Sequence, residues 1–348
     1  MPEQFEWVPD LARGEWLRPV EDEPFGSILS VVPRGFEAYA RIFHPVERDR
    51  PRATKSWYGV DRETFYDGLG VIEDHDDLLE TERATWADAA ASFNTTLHAE
   101  AQYARLVRGD YGDDGGIAAD GWSYDSPAEG CLDTLSLAAA SEVLARHTTT
   151  PDSGVAAIWE GWGGLVSSGG VRYLAVEPMA GWPDDYPDGT AAPLASPSFR
   201  DRLAAATRRG LARARYQIRA LRRPDLNDPV PGTGLLSPEV ASGPHFDLHG
   251  DSGRHYILFE AGANSFADPA WPDRAPWIDG NRWSQSPSII WPDDHSWVLA
   301  TEIDFDSTLV AGTTELIREL VQTPGLEVFP IRIDADLTWG GDRINHPD

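Results

Sequence analysis

The chain has little sulfur and almost no lysine: Cys131 is its one cysteine and Lys55 its one lysine in 348 residues. One thiol cannot close an internal disulfide, and a zinc site built from cysteines is excluded by the same count. No apolar run approaches the roughly 20 residues that a membrane-spanning helix needs, so no membrane partner is expected. The start, Met1-Pro2-Glu3-Gln4-Phe5-Glu6-Trp7, carries neither a basic nor an apolar leader segment, which predicts a cytoplasmic protein. A GxSxG elbow, a Walker A loop and a Rossmann GxGxxG are all missing. Cys131 opens a predicted helix whose His147 lies at the opposite end, so the thiol has no local base and reads as a small buried hydrophobe.

Positive charge is also scarce. Twenty-nine Lys and Arg face 57 Asp and Glu, a net charge of -28. Such a field repels a duplex, because affinity for nucleic acid rests on cationic contacts to phosphate, so no DNA partner is expected. Arginine in place of lysine, with much Ala, Gly, Pro and Asp, reads as GC-rich coding. Hydrophobic residues at 41% and charged residues at 25% are ordinary globular usage and suffice for a core without staples.

What is present reads as helices and strands intermixed without a βαβ rhythm. That predicts an α+β fold, a largely antiparallel sheet with packed helices and long Pro/Trp-rich loops. Residues 1–33 read as an irregular lead-in. Alternation of Phe36, Ala38, Ala40 and Ile42 with Glu37, Tyr39 and Arg41 predicts a strand that Pro45 ends. Trp86, Ala90, Phe93, Leu97 and Ala101 at helical spacing predict helix within 78–106. Residues 108–130 read as a long loop, 131–147 as a helix, and Gly154–Trp159 and Gly170–Val176 as buried strands. A helix from Ser196-Pro197 to about Arg222 carries an arginine face, fitted to the protein's own acidic surface, with a phosphate, an acidic partner or RNA as alternatives. The Pro/Gly-rich stretch 223–244 is the best internal boundary. Strands are expected at His255–Phe259, Trp297–Phe305 and Leu326–Ile333, a Pro/Trp loop at 262–288, and a short helix from Thr313 or Thr314. These divide the chain into parts at 1–130, 131–222 and 245–348, or one composite domain.

Four features carry candidate chemistry. His245, Asp247 and His249 point to one side of a strand, and two imidazoles with a carboxylate suit zinc or ferrous iron; the alternative is a polar hairpin arm. Glu302, Asp304 and Asp306 would line one face of a strand at about 6.5–7 Å intervals. That row fits Mg²⁺ or Ca²⁺, or a general acid or base with a raised pKa; the alternative is a solvated strand face. The arginine helix is the third. Tryptophan is the fourth: fourteen are present, and rings such as Trp283 and Trp291 near carboxylates suit a sugar cleft, whereas loops pinned by tryptophan are the alternative. Trp271, Trp277 and Trp283, in a Pro-rich loop, are expected to lie outside the deep core.

Three stretches carry a resemblance: Pro33–Pro45; Leu144-Ala145-Arg146-His147-Thr148-Thr149-Thr150 leading to Ile158-Trp159-Glu160-Gly161-Trp162-Gly163; and Gln285-Ser286-Pro287-Ser288 through Trp291-Pro292 to Thr301-Glu302-Ile303-Asp304 and Ser307-Thr308. They resemble a group of hypothetical proteins of high-GC actinobacteria, a resemblance that implies a bacterial cytosolic origin and transfers no catalytic residues. The leading expectation is a binding or protein-interaction module with a small-molecule or protein partner. The competing one is a metal-dependent hydrolase or carbohydrate-active enzyme. It would use His245, Asp247 and His249, or Glu302 and Asp304, with Trp283, Trp291 and Asp306 in binding. The sequence names no cofactor.

Overall fold

A computed structural model describes residues 5–24, 26–60, 65, 78–109, 115–167, 232–248, 254–279 and 285–346. Two compact units divide the chain: Met1–Trp162 with Ser242–Asp348, and Gly163–Ala241. The predicted strand at 170–176 and the arginine helix lie outside the described residues. In the smaller unit, residues 232–236 pair back on 164–166 through Gly232 N to Val166 O (2.8 Å) and Leu236 N to Leu165 O (3.1 Å).

The larger unit is built on two sheets, every pairing in them antiparallel. In chain order the strands are β1 (Ala38–Phe43), β2 (Val46–Pro51), β3 (Leu79–Ala84), β4 (Gly115–Ile117), β5 (Ser123–Asp125), β6 (Gly154–Trp159), β7 (Phe246–Asp247), β8 (His255–Glu260), β9 (Ile289–Pro292), β10 (Val298–Ala300), β11 (Ser307–Gly312) and β12 (Val328–Ile331). The first sheet has the order β12-β1-β11-β10-β9-β6-β8-β7 and the second β3-β2-β5-β4. With helices α1 (Trp86–Phe93), α2 (Tyr103–Leu106), α3 (Thr134–Arg146), α4 (Pro238–Ala241, in the smaller unit) and α5 (Thr314–Val321), the class is α+β. β1 lies between β11 and β12, so residues from both ends of the chain share one sheet.

The large sheet is buried on both faces, which explains why a strand such as Gly154–Trp159 is a continuous apolar run. One face buries Tyr39, Val155, Leu258, Trp291, Val298 and Leu309 under the lead-in, whose 3-10 segments place Leu17, Ile28 and Leu29 in the same cluster. The lead-in is therefore core. It is also tied to β8 by a bridge between Trp7 and Phe259. On strand β1, α5 packs alongside, and α3 packs on α5. Asp133 caps α3 through Leu135 N and Ser136 N, and Thr313 caps α5 through Leu316 N.

Three sequence expectations change. Residues 78–106 are a strand, then α1, then α2, because β3 pairs along its whole length with β2 and tertiary pairing overrides the helix-forming residues of Leu79–Ala84. The loop 108–130 contains β4 and β5. The expected strand Trp297–Phe305 ends at Ala300, and the chain turns back into β11.

Candidate binding cleft

Register places one set of strand ends together. Trp159 of β6 faces Tyr256 of β8, Ala157 of β6 faces Ile289 of β9, Ala300 of β10 faces both Ile289 and Leu309 of β11, and Phe43 of β1 faces Ser307. Residues just beyond these ends, His44, Glu160, Arg254 and Thr301–Asp306, therefore crowd one edge of the sheet.

Glu302, Asp304 and Asp306 sit in the connection between β10 and β11, so they form no row on a strand face. The reason is local. The Glu302 carboxylate accepts Asp304 N at 2.6 Å and Phe305 N donates to Glu302 O at 3.0 Å, which closes a turn where alternation was expected. Arg254 takes both of the first two acids, Nη1 lying 2.7 Å from Glu302 Oε1 and Nη2 2.8 Å from Asp304 Oδ2. Burial pushes the Glu302 carboxyl above its usual range despite the Asp304 amide and Arg254. Asp306 goes to a different arginine, Arg41. Gly130 holds the facing segment close: its φ is +68°, and a side-chain carbon there would lie 2.7 Å from Ile303 O. Only glycine takes that conformation without strain at such an approach.

Of the metal set His245, Asp247 and His249, the first two lie among the described residues. His245 and Asp247 do flank Phe246 on one side, and Asp247 is paired with His255. However, Nδ1 of His245 is committed to Glu160 Oε2, and Nδ1 of His255 lies 3.0 Å from Glu160 Oε1. Hydrogen bonds from His245, opposed by burial and aided by the charge of both imidazoles, pull the Glu160 carboxyl below its ordinary range. His255 Nε2 is 3.9 Å from Asp247 Oδ2. His249 lies outside the described residues, and no group of three or more His, Cys, Asp or Glu among the described residues is arranged to hold a metal ion.

Trp291 does not fit a sugar platform. Trp291 is 1% exposed and stands edge-on to Trp16 at 6.4 Å, inside the core. Trp271 and Trp277 are likewise buried, pinning their loop on Phe266 (5.3 Å) and Phe259 (4.9 Å). Trp283 lies outside the described residues.

An open cleft of about 260 Å³ lies beside the Thr301–Asp306 turn. Arg41, Tyr103, Ser126, Glu129, Asp304 and Asp306 line it, with Phe305 and Trp339 as apolar walls. Arg41 is 1% exposed in the middle of β1. Its Nε donates to Ser307 Oγ (2.7 Å), Nη1 to Ala99 O and Ala101 O (3.1 and 2.8 Å), and Nη2 to Asp306 Oδ1 (3.0 Å). The guanidinium also stacks over Phe43 at 4.6 Å. Tyr103 packs on Trp86 at 5.1 Å, and its hydroxyl is buried with no hydrogen-bond partner. Burial, then the charges of Asp125 and other neighbours including Asp306, hold that phenol far above its usual range, so it stays protonated.

Behind the cleft, His44 joins β1 to β2. Its Nδ1 is 2.5 Å from Ala128 O, an acceptor only, so that nitrogen carries the proton. Nε2 then accepts from Thr308 Oγ1 at 2.9 Å, and Thr301 in turn donates to Thr308 at 2.6 Å. Arg41, His44, Tyr103, Glu160 and Arg254 escaped the sequence reading as functional candidates. A lone arginine inside the buried strand Ala38–Phe43 was the available signal.

No protein-family model, no curated protein and no solved structure matches this chain.

Proposed function

We propose that the protein is a small-molecule binding module, and that the cleft beside Arg41, Tyr103 and Asp306 takes a small organic ammonium ion bearing hydroxyl or further amino groups. The Tyr103 hydroxyl carries the reading. A buried hydroxyl without a partner costs about 1–3 kcal/mol, and a ligand that bonds to it recovers that cost on binding. Glu129, Asp304 and Asp306 line the cleft against Arg41 and the Arg254 that holds Asp304, and this one-charge negative excess favours a cation over an anion. Phe305 and Trp339 give the ligand an apolar or cation–π wall. The net charge of -28 raises the local concentration of cations at every face of the protein. The volume is just below the roughly 300–1,000 Å³ of typical ligand pockets, which points to a metabolite of few heavy atoms.

Thermal-shift and titration screening with putrescine and ethanolamine, against glucose and acetate, tests the reading. Saturable binding of an amine, weakened by Tyr103→Phe, is the expected outcome. A response to acetate or glucose alone removes the ammonium assignment.

A further inference from the structure

A second cleft, of about 660 Å³, has the opposite character in this acidic protein. Arg105, Arg108 and His346 line it together with Asn94, Thr96 and Trp339, and among the described residues no carboxylate does. Both guanidiniums are positioned by neutral backbone carbonyls. Arg105 gives Nε and Nη2 to Trp339 O at 3.2 and 3.0 Å and stacks 4.1 Å over the Trp339 ring. Arg108 gives Nε to Phe93 O at 2.7 Å and Nη2 to Asn94 O at 3.0 Å, the carbonyls at the end of α1. Among the described residues, Nη1 of each makes no hydrogen bond and neither arginine has an ion pair with a carboxylate.

Arg105 is only 5% exposed. A cation that far from water is ordinarily matched to an acid, because desolvating it is costly. Among the described residues, carbonyls and one indole face supply its partners, and no carboxylate is paired with its charge. Asp342, with its side chain fully buried, is committed to other partners: it accepts from His98, Gln102 and Asn345. Capping the end of α1 accounts for Nε and Nη2 of Arg108. It does not account for Arg105, for the two unused Nη1 groups, or for a described lining without acids.

We infer that this cleft is a binding site for a small organic oxyanion, a phosphate monoester or a polycarboxylate, held by Nη1 of Arg105 and Arg108 with His346 beside them. Two fixed guanidinium groups match the oxygens of such anions, and each charge-assisted bond is worth more than a neutral one. The protein's global negative charge works against anions at long range. At physiological ionic strength it is screened beyond about 8 Å, so the local arginines decide.

Calorimetric titration of the full chain with inorganic phosphate, with ribose 5-phosphate and with citrate tests this, together with quenching of tryptophan fluorescence. Saturable one-to-one binding of at least one of them, about tenfold weaker in Arg108→Gln, is the expected result. Arg108→Lys, which keeps the charge and loses the fork, is expected to fall between. Arg318→Gln, an exposed arginine on α5, leaves the affinity unchanged. Phosphate sugars binding without citrate assign the monoester, and the reverse assigns the polycarboxylate. No saturable binding of any of the three to the folded wild type, or equal binding in both Arg108 variants and wild type, overturns the inference.

Discussion

Asp306 accepts from Nη2 of Arg41 at 3.0 Å, and among the described residues it is the one carboxylate bonded to a guanidinium that is almost wholly enclosed by β1, β11 and the Ala99–Ala101 segment. Burial lowers the Arg41 pKa and Asp306 opposes that shift, so the pair fixes both the charge state and the position of one cleft wall. Breaking a buried pair by removing one member costs more than the pair contributes, because the survivor stays desolvated. Asp306→Ala is therefore expected to lower stability by about 3 kcal/mol. Chemical denaturation measures it, and a loss below half of that would place Arg41 in contact with water. Adding Arg41→Met to Asp306→Ala is expected to restore part of the loss.

His44 predicts a pH dependence with a definite sign. Burial pushes its pKa from the ordinary 6.5 down to about 4. Between those values the unfolded chain binds a proton that the folded chain refuses. The contribution of neutral His44 is thus fully present above about pH 6.5 and is lost as pH falls towards 4, at up to about 1.4 kcal/mol per pH unit. Denaturation curves from pH 7 to pH 5 should show this slope, and His44→Gln should flatten it. An unchanged slope in the variant would assign the effect to other groups.

Trp291 separates the core reading from a ligand-platform reading. Trp291→Ala is expected to cost about 3–5 kcal/mol, the range for emptying a large buried ring site, and to leave the affinity of folded protein for amines unchanged. Selective loss of binding with stability intact would return Trp291 to a site.

Much of the large sheet was legible in the sequence. Gly154–Trp159 is a fully apolar run and forms a strand over that range, and the caps Asp133 and Thr313 mark helix starts. The small sheet was hidden because its strands are charged. Arg48 pairs with Glu82 at 2.7 Å and Arg50 with Glu80 at 2.9 Å across β2 and β3, so no apolar alternation marks them. Asp304 and Asp306 were found as residues, but their geometry was misjudged. A side chain closing a turn on its own backbone, as Glu302 does, leaves no periodic trace. Arg41 and Tyr103 were invisible as a site because only strand register and the packing of α2 bring them to the same cleft.

Tyr103→Phe carries a stability prediction of its own. Removing a buried hydroxyl that has no partner, while keeping the ring against Trp86, is expected to stabilise the unliganded protein by about 1 kcal/mol. A destabilised variant would show that the hydroxyl is already satisfied within the fold.

The most direct measurement is a calorimetric titration of putrescine and ethanolamine into the wild type and Tyr103→Phe at low and physiological salt. One-to-one binding with Kd below about 1 mM, about tenfold weaker in the variant and weaker as salt rises, is the expected result. Absence of saturable binding by both amines, or equal affinity in the two proteins, contradicts it.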